Sequence, residues 1–436
     1  MTQNTAPGFL QELEWRGLLH QTTARPALDA HLATPGRVAY CGFDPTRDSL
    51  TIGNLLPLIG LRRFQEFGHK PIVLMGGGTG LVGDPSGKDA ERTLQSREQI
   101  AANVAAQRRI IERLIDLDPK RSNAASIVNN LDWLEPIGFL QMLRDVGKHF
   151  SVNAMIQRDS VRERLNNRDQ GISYTEFSYM LLQAYDFLHL RRTVNCTLQM
   201  AGSDQYGNAV SGVDLIHREL GADAEAFVVT FPLITKADGK KIGKTEQGAI
   251  WLSPERTSPY AFYQYFLNTD DADVSAFLKW YTLRTESELA ELVARHAAKP
   301  EAREAQRELA RDLTSLVHGP SELAKVEAAS RALFSGDIRS LSAELLQEVF
   351  ADVPNTEHAK QLLEGEGVSL LDLLSQTTLA SSKREARQFL ESGAVLVNGE
   401  KARVDQRLTQ ADLLHGHTIL LKRGKKLWHA TRWQQP

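Results

Sequence analysis

The sequence predicts an α/β fold: a doubly wound parallel-sheet domain, then a helical domain, then a small α+β domain. Three observations carry this. Between Val38 and Thr230, short apolar runs alternate with longer amphipathic stretches, the pattern of strand–helix–strand units. Over residues 272–350, Ala, Leu, Glu and Arg recur at helical spacing with no strand signal. From Val368 to Trp433 a compact mixed pattern returns. A chain of 436 residues fits about three domains at roughly 150 residues each.

The elements follow in order. Residues 1–35 read as a helical lead-in, with Phe9, Leu10, Leu13, Leu18 and Leu19 loosely on one face. Val38–Phe43 is the first strand. A turn containing Pro and Asp leads to a helix over Gly53–Phe67, which Gly68 stops. Pro71–Met75 is a second buried strand and runs into glycine-rich loops at 76–80 and 83–87. Gln95–Ile115 is helical. Further strands are expected at Ser126–Asn129, Thr197–Met200 and Phe227–Thr230, with a helix over Thr175–Leu188. Polar, glycine-containing residues 353–367 read as a linker. Beyond it, Ser381 and Ser382 open a basic helix. Val395–Val397 and Thr418–Lys422 read as strands, the first followed by an Asn398-Gly399 turn. The expected boundaries are therefore 1–257, 258–352, a linker at 353–367, and 368–436.

Composition narrows the class. Hydrophobic residues make up 42% and charged residues 24%, ordinary for a globular protein. The net charge of −3 hides an asymmetry: residues 381–436 carry +6 and the remainder −9. A basic tail on an acidic body points to a polyanionic partner for the tail. Cys41 and Cys196 have no metal-ligand spacing, so neither a disulfide framework nor a zinc site is expected. No signal-peptide pattern opens the chain, and no apolar run approaches the roughly 18 residues of a membrane helix. A reducing, cytoplasmic setting is expected, with no membrane association.

Two segments carry phosphate chemistry. In Cys41–Leu55 a strand ends and a helix begins near Thr51-Ile52-Gly53-Asn54, so free N–H groups at the helix start face the crevice beyond the strand ends. Thr46, Thr51 and Asn54 add hydrogen-bond groups on that rim. Read alone, the segment is also an ordinary capped strand–helix turn. Residues 236–245 hold four lysines, two glycines and a threonine, a loop able to follow anionic oxygens. The Walker spacing is absent, and alone the loop reads better as a solvated, charged hairpin.

Together, in this order and separation, the two segments resemble the HIGH-type and KMSKS-type signatures of class I aminoacyl-tRNA synthetases. GFDPT (42–46), GDPSG (83–87), KHFSVN (148–153), SYTEFSYMLLQAYDF (173–187), GSDQYGN (202–208) and ITKADGKKIGKT (234–245) resemble the bacterial tyrosyl-tRNA synthetases, over nearly the whole chain. The resemblance implies a Rossmann-like catalytic domain, a helical anticodon-side domain and a C-terminal RNA-binding domain. It implies activation of L-tyrosine with ATP to tyrosyl-adenylate and pyrophosphate, then transfer to the 3′ end of tRNA(Tyr).

Site residues follow from the same resemblance. Tyr40 and Asp186 match the pair that holds the substrate's phenolic hydroxyl. A phenylalanine there would leave both groups unpaired, while an indole would not call for such a pair. Asp84, Tyr179 and Gln183 match positions around the α-amino group, and Gln199 a position nearby. Asp44, Gly53, Gly202, Asp204 and Gln205 match positions along the adenylate, with Asp204 at the ribose. Thr46, Thr51, Asn54, Lys88, Arg92, Lys241, Lys244 and Thr245 match the groups that handle ATP and its phosphates. In the tail, Lys383, Arg384, Arg387, Lys422, Arg423, Lys425 and Lys426 are the expected RNA phosphate contacts. Mg²⁺ is expected to accompany ATP, with no protein metal cage and no tightly bound cofactor. The family is homodimeric.

The first signature departs from the family. Thr51 and Asn54 stand where histidines are usual. Losing a transition-state donor typically costs ~2.7–4 kcal/mol, and a replacement that still donates costs less. Ile242 also departs, with no consequence attached to it.

Overall fold

The computed structural model describes residues 8–85, 94–158, 161, 162, 165, 172–239, 242–245, 248–351, 353–424 and 427–434. The chain forms two compact units, one of residues 1–257 and 265–317, the other of 258–264 and 318–436.

The first unit is built on β1 (Gln21–Thr22), β2 (Val38–Phe43), β3 (Lys70–Met75), β4 (Ser126–Asn129), β5 (Cys196–Gly202) and β6 (Phe227–Phe231), in spatial order β1-β6-β5-β2-β3-β4. β2 to β6 are parallel, as expected of continuous apolar runs covered on both faces. β1 is antiparallel to β6 and makes the sheet mixed. Two residues are too short to leave a pattern in the sequence.

Tyr40, Ile72, Leu74, Cys196 and Val228 share one face with the helices Tyr174–Val194 and Tyr206–Leu220. Strand alternation turns Phe231 to the other face, against the helix Ile52–Glu66. Gly60 permits that approach: a Cβ there would lie 2.3 Å from the Phe231 ring. The expected helix over 175–188 runs on to Val194, where Asn195 adopts a left-handed conformation (φ 54°) and ends it. A short hairpin, β7 (Lys244–Thr245) with β8 (Gly248–Ala249), follows the main sheet.

The second unit has a five-stranded sheet in the order β12-β11-β14-β15-β9 and a two-stranded β10–β13 pair. The strands are β9 (Asn355–Ala359), β10 (Val368–Ser369), β11 (Val395–Val397), β12 (Glu400–Lys401), β13 (Arg407–Leu408), β14 (Thr418–Arg423) and β15 (Leu427–Gln434). Asn398 and Gly399 turn between β11 and β12 with φ of 50° and 92°, the geometry their dipeptide favours.

Both faces of this sheet are covered. Ile419 and Leu421 pack with Leu373, Leu390 and Trp433, while Leu420 and Ala430 pack with Ala329, Leu346 and Phe350. The division expected at 352/353 is therefore corrected. Residues 318–352 complete the second unit's core, and 265–317 belong to the first unit. Helical periodicity shows that a helix has an apolar face, but not which core takes it.

The expected linker at 353–367 is also corrected. It contains β9, which pairs in parallel with β15. Its sequence lacks apolar alternation because the more buried positions are polar: the Thr356 hydroxyl shares hydrogen bonds with the imidazoles of His358 and His429. Among the described residues, no helix is long and apolar enough to cross a membrane.

Candidate active site

β2 lies between β3 and β5, the point where successive connections switch direction, and a cavity of about 430 Å³ opens at the strands' carboxyl ends. β2 supplies Tyr40, and Asp44 and Thr46 follow it. Gly53 and Asn54 enter from the start of the helix Ile52–Glu66. Tyr179, Gln183 and Asp186, spaced four and three apart on one helix, present one face. Gln199, Gly202, Asp204 and Gln205 come from β5 and the turn after it, and Asp84 from the loop after β3. These sequence-predicted residues converge on one space.

The closed end pairs Tyr40 with Asp186. The Tyr40 hydroxyl is buried and has no hydrogen-bond partner among the described residues. Burial, and then the charge of Asp186, hold the phenol well above its usual range. Asp186 is 2% exposed, and burial pushes its carboxyl up to about 7. Two donors oppose that shift: Asn130 Nδ2 to Oδ2 at 2.9 Å and Trp133 Nε1 to Oδ1 at 2.7 Å. The Trp133 ring stacks on His189 at 4.4 Å, one turn beyond Asp186. Sequence reading missed Asn130 and Trp133, and no local signal marks either one. The side-chain oxygen of Gln199 is likewise buried without a partner among the described residues.

The middle of the cavity is polar and acidic. Tyr179 donates to Asp44 Oδ2 at 2.9 Å and Thr79 to Oδ1 at 2.8 Å, and Asn130 donates to Thr79 at 3.0 Å. Gln205 Nε2 donates to Asp84 at 2.7 Å and to Asp204 at 3.1 Å. Asn208, also unforeseen, donates to Gln183 at 3.2 Å and Gln205 at 3.1 Å. Carboxylates and neutral amides arranged in this way suit an ammonium group better than an anion.

The first signature is divided. Asn54 Oδ1 accepts from the Thr51 amide at 3.0 Å and from its hydroxyl at 2.9 Å. Thr51 is the N-cap residue of the helix and is not among the residues that line the cavity. Asn54 itself lines the cavity, and with Oδ1 taken by Thr51 its Nδ2 is the amide's remaining polar group.

A single residue stitches the two signatures together. Ile250 N donates to Gly243 O at 2.9 Å, and Ile250 O accepts from Ile52 N at 3.2 Å. Ile242 lines the cavity. Lys244 and Thr245 are described only as backbone in β7. Lys88, Arg92 and Lys241 lie outside the described residues.

In the second unit the basic residues also divide. Lys383 pairs with Asp372 at 2.5 Å. Arg423 donates to Leu379 O at 2.5 Å and lies over the Phe389 ring at 4.5 Å, while Lys422 lies over Trp428 at 4.7 Å. Arg384 and Arg387 are exposed on the helix Lys383–Glu391. Lys425 and Lys426 lie outside the described residues.

Comparison with known proteins relates the chain to a family. Residues 35–335 match the family described as class I tRNA synthetases (W and Y), and residues 345–431 the C-terminal domain of tyrosine–tRNA ligases of the SYY type. The tyrosine–tRNA ligase of Roseiflexus castenholzii is 49% identical over 97% of this chain and 99% of its own length. That of Geobacillus kaustophilus is 48% identical over 98% and 99%. Among solved structures, a C-terminally truncated mitochondrial tyrosyl-tRNA synthetase from Coccidioides posadasii is similar at a TM-score of 0.66 and 31% identity, covering 74% of this chain and 92% of its own. A tryptophanyl-tRNA synthetase from Encephalitozoon cuniculi, at 16% identity and a TM-score of 0.53 over 77% of this chain and 89% of its own, shares the fold.

Proposed function

The chain belongs to the tyrosine–tRNA ligases, class I aminoacyl-tRNA synthetases, and from that premise we propose how its residues divide the work. The enzyme activates L-tyrosine with ATP and charges tRNA with the product. In the first step a tyrosine carboxylate oxygen bonds to the α-phosphorus of ATP, and the bond from that phosphorus to the β-phosphate's bridging oxygen breaks. Pyrophosphate leaves with the electron pair. In the second step a ribose hydroxyl of the tRNA attacks the activated carbonyl and AMP departs. The substrate supplies the nucleophile, so the protein's part is positioning and charge stabilisation.

Tyr40 and Asp186 hold the phenol. The observation that carries this reading is the buried Tyr40 hydroxyl, without a partner among the described residues, beside an oriented carboxylate. Asp84, Tyr179 and Gln183 receive the α-ammonium, with Gln199 nearby. Asp44, Gly53, Gly202, Asp204 and Gln205 line the adenylate. Asn54 Nδ2 supplies a neutral donor to it, and Thr46 stands on the same rim. Lys88, Arg92, Lys241, Lys244 and Thr245 contact phosphate. Mg²⁺ enters with ATP as part of the substrate, held by phosphate oxygens and water.

Residues 1–257 carry the chemistry. The helices that follow face the anticodon side, and the C-terminal portion binds tRNA(Tyr), chiefly through Arg384 and Arg387. Phe139 (64% exposed), Leu140 (80%) and Val152 (56%) are large apolar side chains left exposed in the single chain, which supports a homodimer. The reaction is cytoplasmic. Pyrophosphate exchange into ATP tests the division of steps: it requires tyrosine and proceeds without tRNA, whereas charging requires both. Exchange that requires tRNA would contradict the scheme.

A further inference from the structure

Two neighbouring helices, Pro259–Leu267 and Asp271–Tyr281, send three polar groups to the signature segments. The half-buried Tyr265 hydroxyl accepts from Gly243 N at 3.1 Å. Asp273, 7% exposed, accepts from Ala237 N at 2.7 Å. The buried Tyr281 hydroxyl donates to Ile52 O at 3.4 Å.

Gly243 has no side chain, so backbone bonds alone set its orientation. Its N–H lies in the peptide plane before it, and Tyr265 pins that plane. Its carbonyl lies in the plane that leads into Lys244, and Ile250 N pins that one at 2.9 Å. With both planes fixed, the backbone that leads into Lys244 is held in place. We propose that Tyr265 is a positioning residue for adenylate formation, acting through Gly243 to aim Lys244. The proposal rests on the reading that Lys244 contacts the ATP phosphates. Asp273 fixes the beginning of the same segment, and Tyr281 ties the first signature to the same pair of helices.

Tyr265→Phe keeps the ring and its packing and removes only the acceptor. The test combines Tyr265→Phe, Lys244→Ala and the double variant. It reads the single-turnover rate of adenylate formation, the tyrosine dissociation constant and the thermal midpoint. Tyr265→Phe is expected to slow adenylate formation about five- to tenfold, the scale of one lost hydrogen bond. Tyrosine affinity and the thermal midpoint stay unchanged. In the Lys244→Ala background the same substitution has no further effect, because the group being aimed is gone. A purely structural role would give the same fold-loss in both backgrounds, and that result would overturn the proposal. So would an unchanged rate, or a rate loss matched by weaker tyrosine binding. A Lys244→Ala variant at full rate would overturn the phosphate role itself, whereas a slow Lys244→Ala variant with additive losses overturns only the role of Tyr265.

Discussion

The Thr51 hydroxyl donates to the side-chain oxygen of Asn54 at 2.9 Å, so the two residues standing where the family has histidines act as a coupled pair. One caps the helix and the other faces the cavity. Their loss should therefore be unequal. Asn54→Ala removes the donor and should slow adenylate formation at least tenfold, for about 1.4 kcal/mol or more. Thr51→Ala should slow it less than about threefold while costing ~1 kcal/mol of stability as a lost N-cap. Single-turnover rates and urea melts of the two variants check this.

If Asp186 receives the phenol as proposed, tyrosine binding should depend on pH. Its carboxyl, pushed up to about 7 by burial, accepts a phenol's hydrogen bond best when ionised. Tyrosine affinity should weaken as pH falls below about 7, approaching tenfold per pH unit, and level off above about 8. Because the folded-state value is raised, ionising Asp186 costs folding stability as pH rises from the ordinary carboxylate range toward 7. Asp186→Asn should remove both dependences. It should stabilise the empty protein above pH 7 while weakening tyrosine binding. Fluorescence titrations and melts between pH 5.5 and 8.5 would register both effects.

Gly60 lets a helix meet the cavity wall. Its missing Cβ leaves room for Phe231, which lines the cavity. Gly60→Ala should cost ~1–3 kcal/mol through overpacking and raise the KM for ATP, because Phe231 must shift. Denaturant melts and steady-state exchange kinetics measure the two effects.

The tRNA role of the second unit is best tested by charge removal. Deleting residues from Val368 onward would leave β9 without its partner β15 and expose Ala329, Leu346 and Phe350. Arg384→Ala with Arg387→Ala leaves that core intact. The double variant should lower charging efficiency at least tenfold and flatten the dependence of tRNA affinity on salt, with pyrophosphate exchange unchanged. A matching loss of exchange would argue against this role.

The parallel strands were legible because burial on both faces makes them continuous apolar runs, as in Val38–Phe43 and Phe227–Phe231. β9 and β15 were not, because polar Thr356, His429 and Thr431 occupy inner positions and are satisfied by hydrogen bonds instead of apolar packing. The cavity residues carried by motifs were legible. Asn130 and Trp133 were not, because their work is done on Asp186, more than 50 residues away. Counting charge pointed to the basic tail, but it could not reveal that Lys383 and Arg423 are engaged within the protein.

The central claim is that the Tyr40 hydroxyl and the Asp186 carboxylate select tyrosine at the closed end of the cavity. The most direct test is pyrophosphate exchange driven by tyrosine and by phenylalanine, in the parent enzyme and in Tyr40→Phe. The account predicts strong preference for tyrosine in the parent. In Tyr40→Phe that preference should fall at least tenfold, mainly through loss with tyrosine. An undiminished preference in Tyr40→Phe, or equal use of both amino acids by the parent, would contradict it.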